Sequence, residues 1–90
     1  MRKFVIEREV PGLGEATAEE LRAVAQKSNG VLAELGPQVQ WVHSYVTQDK
    51  MYCVYAADDA EVVREHARRG GFPADSVAAV TAVVDPTTAG

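Results

Sequence analysis

Two histidines and two glutamates are the side chains of this sequence best suited to metal or acid–base chemistry. His43 lies in a segment dense in β-forming residues, and Glu7 and Glu9 alternate in another such segment. Residues two apart on a strand share a face, so the two glutamates should lie about 7 Å apart. Imidazole together with carboxylate and water suits nickel, zinc, copper or cobalt. These residues therefore predict a divalent-metal site, although their spacing matches no established metal motif.

The second histidine, His66, falls near the C-terminal end of a predicted helix, where the helix dipole favours a cation. No carboxylate or other histidine stands three or four residues from it, so a metal site on that helix alone is not expected. His66 is a further candidate metal ligand, with helix capping or an interface contact as the alternative. Cys53 could act as a nucleophile beside a histidine, but a lone cysteine in an apolar strand is more often a small buried hydrophobe.

Composition narrows the functional classes. The 90 residues carry 13 acidic and 9 basic side chains, which gives a net charge of −4. Without a basic cluster, binding to nucleic acid or to an anionic membrane is not expected. No segment reaches the roughly 20 apolar residues of a membrane span, and no signal-peptide pattern is present, so we predict a cytoplasmic protein. No glycine-rich phosphate loop is present either, so no organic cofactor is implied.

Six elements must position these side chains. β-Branched and aromatic residues predict four strands, at residues 3–10, 38–47, 50–57 and 76–84. An apolar stripe at three- and four-residue spacing follows Thr17 and predicts a helix that ends at Gly36. A second helix should begin at a cap formed by Asp58 and end at Gly70.

The resulting order, βαββαβ, is that of the ferredoxin-like α+β fold. Right-handed crossovers place both helices on one face of a four-stranded antiparallel sheet. The expected spatial order of the strands is 4-1-3-2. A chain of this length suits one domain, which we assign to residues 1–86, with a flexible tail at 87–90.

Two helices leave one face of the sheet uncovered. Strand alternation predicts beneath the helices Phe4, Ile6, Val42 and Val46. It predicts on the open face Glu7, Glu9, Trp41, His43 and Tyr45. Exposed aromatic side chains of this kind favour a two-fold homodimer. For the third strand, a one-residue difference in the preceding turn decides whether Cys53 and Tyr55 or Tyr52 and Val54 join His43, so both arrangements stay open.

Four segments of the chain carry a resemblance to a known family. They are Glu7–Gly12, Trp41–Tyr45, Tyr52–Tyr55 and His66–Pro73. In this order they resemble a family of short bacterial nickel-binding proteins, and the resemblance runs from residue 4 to residue 86. It implies a ferredoxin-like fold, a homodimer and Ni(II) held at the surface of the dimer. Because they combine ligand chemistry with membership of these segments, the predicted metal ligands are His43, Glu7, Glu9 and His66.

Together these observations predict a small homodimeric nickel-binding protein with a buffering or sensing role, rather than an enzyme. Since metal binding requires neutral imidazole, occupancy should fall below about pH 6. The alternative is a small dimeric α+β barrel enzyme of the monooxygenase type, or a ligand-binding module. In either case Trp41, His43 and Tyr45 would line a pocket, a hypothesis that rests on analogy of fold.

Overall fold

The βαββαβ order predicted from the sequence is present in the computed structural model, which describes residues 1–90. The strands are β1 (Arg2–Glu9), β2 (Val39–Val46), β3 (Lys50–Ala57) and β4 (Ser76–Ala79), and the helices are α1 (Ala18–Leu35) and α2 (Ala60–Gly70). All neighbouring strands are antiparallel, in the order β2-β3-β1-β4. The ferredoxin-like α+β prediction and its strand order are therefore confirmed.

The two helices begin at side-chain caps. At α1 the Thr17 hydroxyl accepts from the Glu20 N–H at 3.1 Å, and the Glu20 carboxylate accepts from the Thr17 N–H at 2.9 Å, as the sequence predicts. At α2 the cap is Asp59, whose carboxylate accepts from the Val62 N–H at 3.0 Å. The prediction of Asp58 as the cap is wrong, because the Asp58 N–H extends the sheet by donating to the carbonyl of residue 38.

The last strand is shorter than predicted. β4 ends at Ala79, which lies opposite Phe4, and one further hydrogen bond joins the Val80 N–H to the Lys3 carbonyl. Because β1 begins at Arg2, the residues beyond Val80 have almost no partner strand left to pair with. The exposed chain end then forms a 3₁₀ turn at Pro86–Ala89, where a flexible tail was predicted from residue 87.

A β-bulge divides β2 into two halves. Trp41 lies opposite Tyr55 and His43 lies opposite Val54, so Val42 is the extra residue. Such a residue reverses the alternation of the strand. Trp41 therefore faces the helices, and its predicted place on the open face is wrong. Val42, predicted beneath the helices, is 49% exposed.

The turn between β2 and β3 settles which side of β3 joins His43. The turn has two residues, 48 and 49, between the paired Thr47 and Lys50. The Thr47 N–H donates to the Lys50 carbonyl at 2.9 Å. Tyr45 consequently lies opposite Tyr52. We call the side that carries His43, Tyr45, Tyr52, Val54 and Glu7 the open face, and the side toward the helices the covered face.

The core lies on the covered face. Its buried members are Phe4, Ile6, Val39, Cys53, Tyr55, Ala57, Val62 and Val63. The C-terminal half of α1 adds Leu32 and Leu35, whereas Val24 in its N-terminal half is exposed. The N-terminal half of α1 thus covers the sheet incompletely, which leaves a pocket beside it. Neither helix is both long enough and apolar enough to cross a membrane.

Candidate functional site

The two glutamates of β1 lie on the open face, as predicted, but they are engaged by a lysine. The Lys50 ammonium lies 2.6 Å from a Glu7 carboxylate oxygen and 3.7 Å from one of Glu9. The strand register explains the contact, because Lys50 of β3 lies opposite Glu9 of β1, and Glu7 lies two residues before Glu9 on the same face of the sheet. The hydrogen bond to Glu7, and then the negative charge of that group, raise the pKa of Lys50. Both carboxylates are therefore partly neutralised.

His43 is exposed on the open face and lies on an edge strand. Its ring meets the Tyr45 ring edge-on, with 4.9 Å between centroids. The residues in register with His43 across the sheet are Val54 and then Val5, whereas Glu7 belongs to the row of Tyr45. His43 and Glu7 are thus separated by two strand spacings, which together measure about 9–10 Å, and by an offset of two residues along the strands.

His66 lies on the opposite side of the sheet from His43. It is 0% exposed, its Nε2 is 3.0 Å from the Ser28 hydroxyl, and its Nδ1 has no partner. The ring packs between Tyr55 and Phe72, with centroid distances of 5.1 and 5.5 Å. Burial, and then the nearby Arg8 charge, lower the pKa of His66, which keeps the imidazole neutral. The interpretation of His66 as a capping or interface residue is wrong.

The four predicted metal ligands therefore do not come together in one chain. No group of three or more His, Cys, Asp or Glu side chains is arranged to hold a metal ion. Glu7 and Glu9 are ion-paired, His66 is sealed inside, and only His43 presents an accessible imidazole. The chain by itself does not supply a complete nickel coordination sphere.

A pocket of about 150 Å³ lies on the covered face, beside the N-terminal half of α1. Nine of its thirteen lining residues are hydrophobic, among them Leu21, Val24, Trp41 and Phe72. Neither His43 nor Tyr45 lines it. The predicted pocket around Trp41, His43 and Tyr45 is therefore wrong for this chain, since the bulge sends Trp41 to the opposite face.

Arg8 is the site residue that sequence reasoning missed. It lines the pocket and is only 3% exposed. Its guanidinium donates to Cys53 Sγ at 3.4 Å, to the Pro73 carbonyl and to the Tyr55 hydroxyl at 3.5 Å. A signal for it was present, since alternation places Arg8 on the same face as Phe4 and Ile6. Cys53 is buried, as expected, and has this arginine as its polar neighbour.

Comparison with known proteins assigns the chain to a family. A family model described as nickel responsive protein SCO4226-like matches residues 4–80. The chain belongs to the SCO4226-like family. The crystal structure of SCO4226 from Streptomyces coelicolor A3(2) superposes with a TM-score of 0.76 at 20% sequence identity, over 91% of this chain and 99% of that one. At this identity the likeness concerns the fold. No curated protein matches the chain.

Proposed function

We propose that this SCO4226-like protein is a homodimer that binds Ni(II) reversibly through its open face, as a cytoplasmic nickel buffer or sensor. The observation that carries the proposal is the exposed imidazole of His43 on the open face. The family description, nickel responsive, supports the choice of metal. Imidazole with carboxylate and water is a suitable donor set for this ion.

The proposal gives His43 the primary role, because it is the one histidine that solvent reaches. Glu7 and Glu9 supply negative charge on the same face, and Lys50 competes with any cation for them. His66 is left out of the nickel site because its Nε2 is engaged by Ser28 inside the core.

A second copy of the chain would cover the apolar side chains of the open face and would bring further metal-ligating groups to it. Its apolar side chains have no cover within one chain; Tyr45 is 61% exposed, and Val5, Tyr52 and Val54 are only half-buried. Open apolar surface of this kind is typical of an interface between subunits. A two-fold dimer would also double the number of imidazoles and carboxylates available to an ion.

Calorimetric titration of the untagged protein with nickel tests the proposal. We expect saturable heat at pH 7.5 and its loss at pH 5.5, because the metal needs neutral imidazole. His43→Ala should lower the affinity at least about tenfold, the usual effect of losing one ligand or its orienting partner. His66→Gln is the matched control and should leave the stoichiometry unchanged. Nickel binding that survives His43→Ala, or no binding at all, would refute the assignment.

Sedimentation analysis tests the dimer separately. Val54→Glu places a charge at the centre of the open face and should shift the protein toward monomer. Ala23→Glu adds the same charge at an exposed position of α1 and should not. A wild-type protein that sediments as a monomer at all concentrations would contradict the dimer.

A further inference from the structure

Segments that are distant in the sequence build the walls of the pocket on the covered face. β1, α1, β2 and β3 each contribute side chains, and so do the loop after β1 and the loop after α2. The bulge at Val42 brings Trp41 into one of these walls. The volume of about 150 Å³ therefore follows from the arrangement of the elements, because the N-terminal half of α1 does not cover the sheet completely.

Arg8 belongs to the lining but offers no free binding group to the pocket. It is only 3% exposed, and each of its three guanidinium nitrogens donates within the protein. The acceptors are Cys53 Sγ, the Pro73 carbonyl and the Tyr55 hydroxyl. The positive charge of Arg8 is therefore not available to an anion in the pocket.

The serine and tryptophan groups of the lining are engaged in the same way. The Ser28 hydroxyl lies 3.0 Å from His66 Nε2, and the Trp41 indole N–H donates to the Ser44 hydroxyl at 2.9 Å. The surface that remains open in the pocket is almost entirely apolar. A charged or strongly polar ligand would lose its hydration there without gaining hydrogen bonds, so the pocket selects against it.

The large apolar side chains of the lining, by contrast, keep part of their surface exposed. They include Leu21, Val24, Trp41, Met51 and Phe72. An apolar occupant would remove this surface from water and would supply the contacts that the walls lack. Phe72 is packed so closely on Gly70 that a Cβ there would overlap the ring, and the indole of Trp41 is held by its hydrogen bond. The pocket is therefore formed before a ligand arrives.

We propose that this pocket binds a small uncharged apolar molecule about as large as a single ring, held by burial of apolar surface alone. The volume sets the size, since a dry apolar cavity of about 150 Å³ in another protein accommodates benzene. Among such molecules an aromatic ring has additional favourable contacts, with the rings of Trp41 and Phe72 and with the sulfur of Met51.

Trp41 provides a direct probe, because it is the only tryptophan of the chain and lines the pocket. Toluene, with the tryptophan excited where toluene does not absorb, should change Trp41 emission in a saturable manner. Calorimetry should give a negative heat-capacity change, the mark of apolar burial, and the affinity should not fall as salt is added. Benzoate should bind at least about tenfold more weakly than toluene, because its carboxylate finds no donor in the pocket.

A matched pair of variants locates the binding. Val24→Phe fills the rim of the pocket, and Ala23→Phe adds the same ring one residue away at an exposed position outside it. The first variant should lower toluene affinity at least about tenfold, because it removes apolar surface that toluene would bury, and the second should leave the affinity unchanged. Both effects are measured by Trp41 emission and by calorimetry.

Four results would overturn the proposal. They are no saturable response of the wild type to toluene, unchanged affinity in Val24→Phe, benzoate binding as tight as that of toluene, and a toluene affinity that falls as the protein concentration rises. The last result would mean that a second copy of the chain fills the pocket. None of these results bears on nickel, because His43 lies on the opposite face of the sheet.

Discussion

The two faces of the sheet differ in whether the charged side chains that β1 places on them form ion pairs. Glu7, Arg8 and Glu9 are consecutive in β1, so opposite charges are covalent neighbours. The pleat sends the glutamates to the open face, where Lys50 pairs with both, and sends Arg8 to the covered face, where no carboxylate lies within ion-pair distance. Residues of opposite charge that are adjacent in a strand thus do not neutralise each other, because their side chains point to opposite faces. The open face carries ion-paired carboxylates, and the covered face carries a buried cation.

Aromatic side chains follow the same division. The bulge at Val42 places Trp41 on the covered face, where its indole N–H donates to the Ser44 hydroxyl at 2.9 Å. Two residues later His43 and Tyr45 stand on the open face with their rings in contact. A single inserted residue therefore separates an apolar pocket from an accessible imidazole.

The largest expected difference between the faces is in stability. Ile6 is fully buried on the covered face, so Ile6→Ala should lower the free energy of unfolding by about 2–5 kcal/mol. Val5 is half-buried on the open face, and Val5→Ala should cost about 1 kcal/mol in the monomer. Urea unfolding at low protein concentration measures both. Equal losses would contradict the description of the open face as uncovered, and a Val5→Ala loss that grows with protein concentration would indicate a dimer.

Buried His66 should make the stability of the protein depend on pH. Because the folded protein holds the pKa of His66 below its usual value of 6.5, the unfolded chain binds a proton first as the solution is acidified. The contribution of His66 to stability is therefore constant above about pH 6.5 and falls below it, by up to about 1.4 kcal/mol per pH unit. Unfolding curves between pH 7.5 and 5 should show this slope in the wild type and in His43→Gln. The same slope in His66→Gln would contradict the role given to burial.

The smallest effect concerns the open-face ion pairs. Lys50→Met frees Glu7 and Glu9 and should raise nickel affinity by about fivefold. Lys3→Met removes the same charge from the far end of β1, away from both carboxylates, and should change the affinity much less. Calorimetric titration compares the two. An equal gain would mean that only net charge matters, and the pairing with Lys50 would lose its significance.

Local patterns were sufficient to predict the fold. The Thr17 cap and the glycine that ends α2 each act within a few residues, so the sequence displays them directly. The Asp58–Asp59 pair shows the limit of such patterns, since either side chain can cap a helix and only the sheet hydrogen bond of Asp58 decides between them.

The candidate site was harder to predict because it depends on register. No local pattern in β2 indicates the extra residue, and simple alternation without a bulge places Trp41 on the open face. Lys50 binds Glu7 across a sequence separation of 43 residues, and Ser28 binds His66 across a separation of 38 residues. Sequence spacing alone does not reveal contacts of this kind. The burial of Arg8 could have been inferred from its alternation with Ile6, whereas its missing counter-ion could not.

The most direct test of the two-face account is a nickel titration followed by amide NMR, because paramagnetic Ni(II) broadens signals near the bound ion. We expect broadening centred on His43 and Tyr45 and extending to Val54, with the amides of Ser28 and His66 unaffected. Broadening centred on His66 or on the pocket would contradict the account, because it would place the metal chemistry on the covered face.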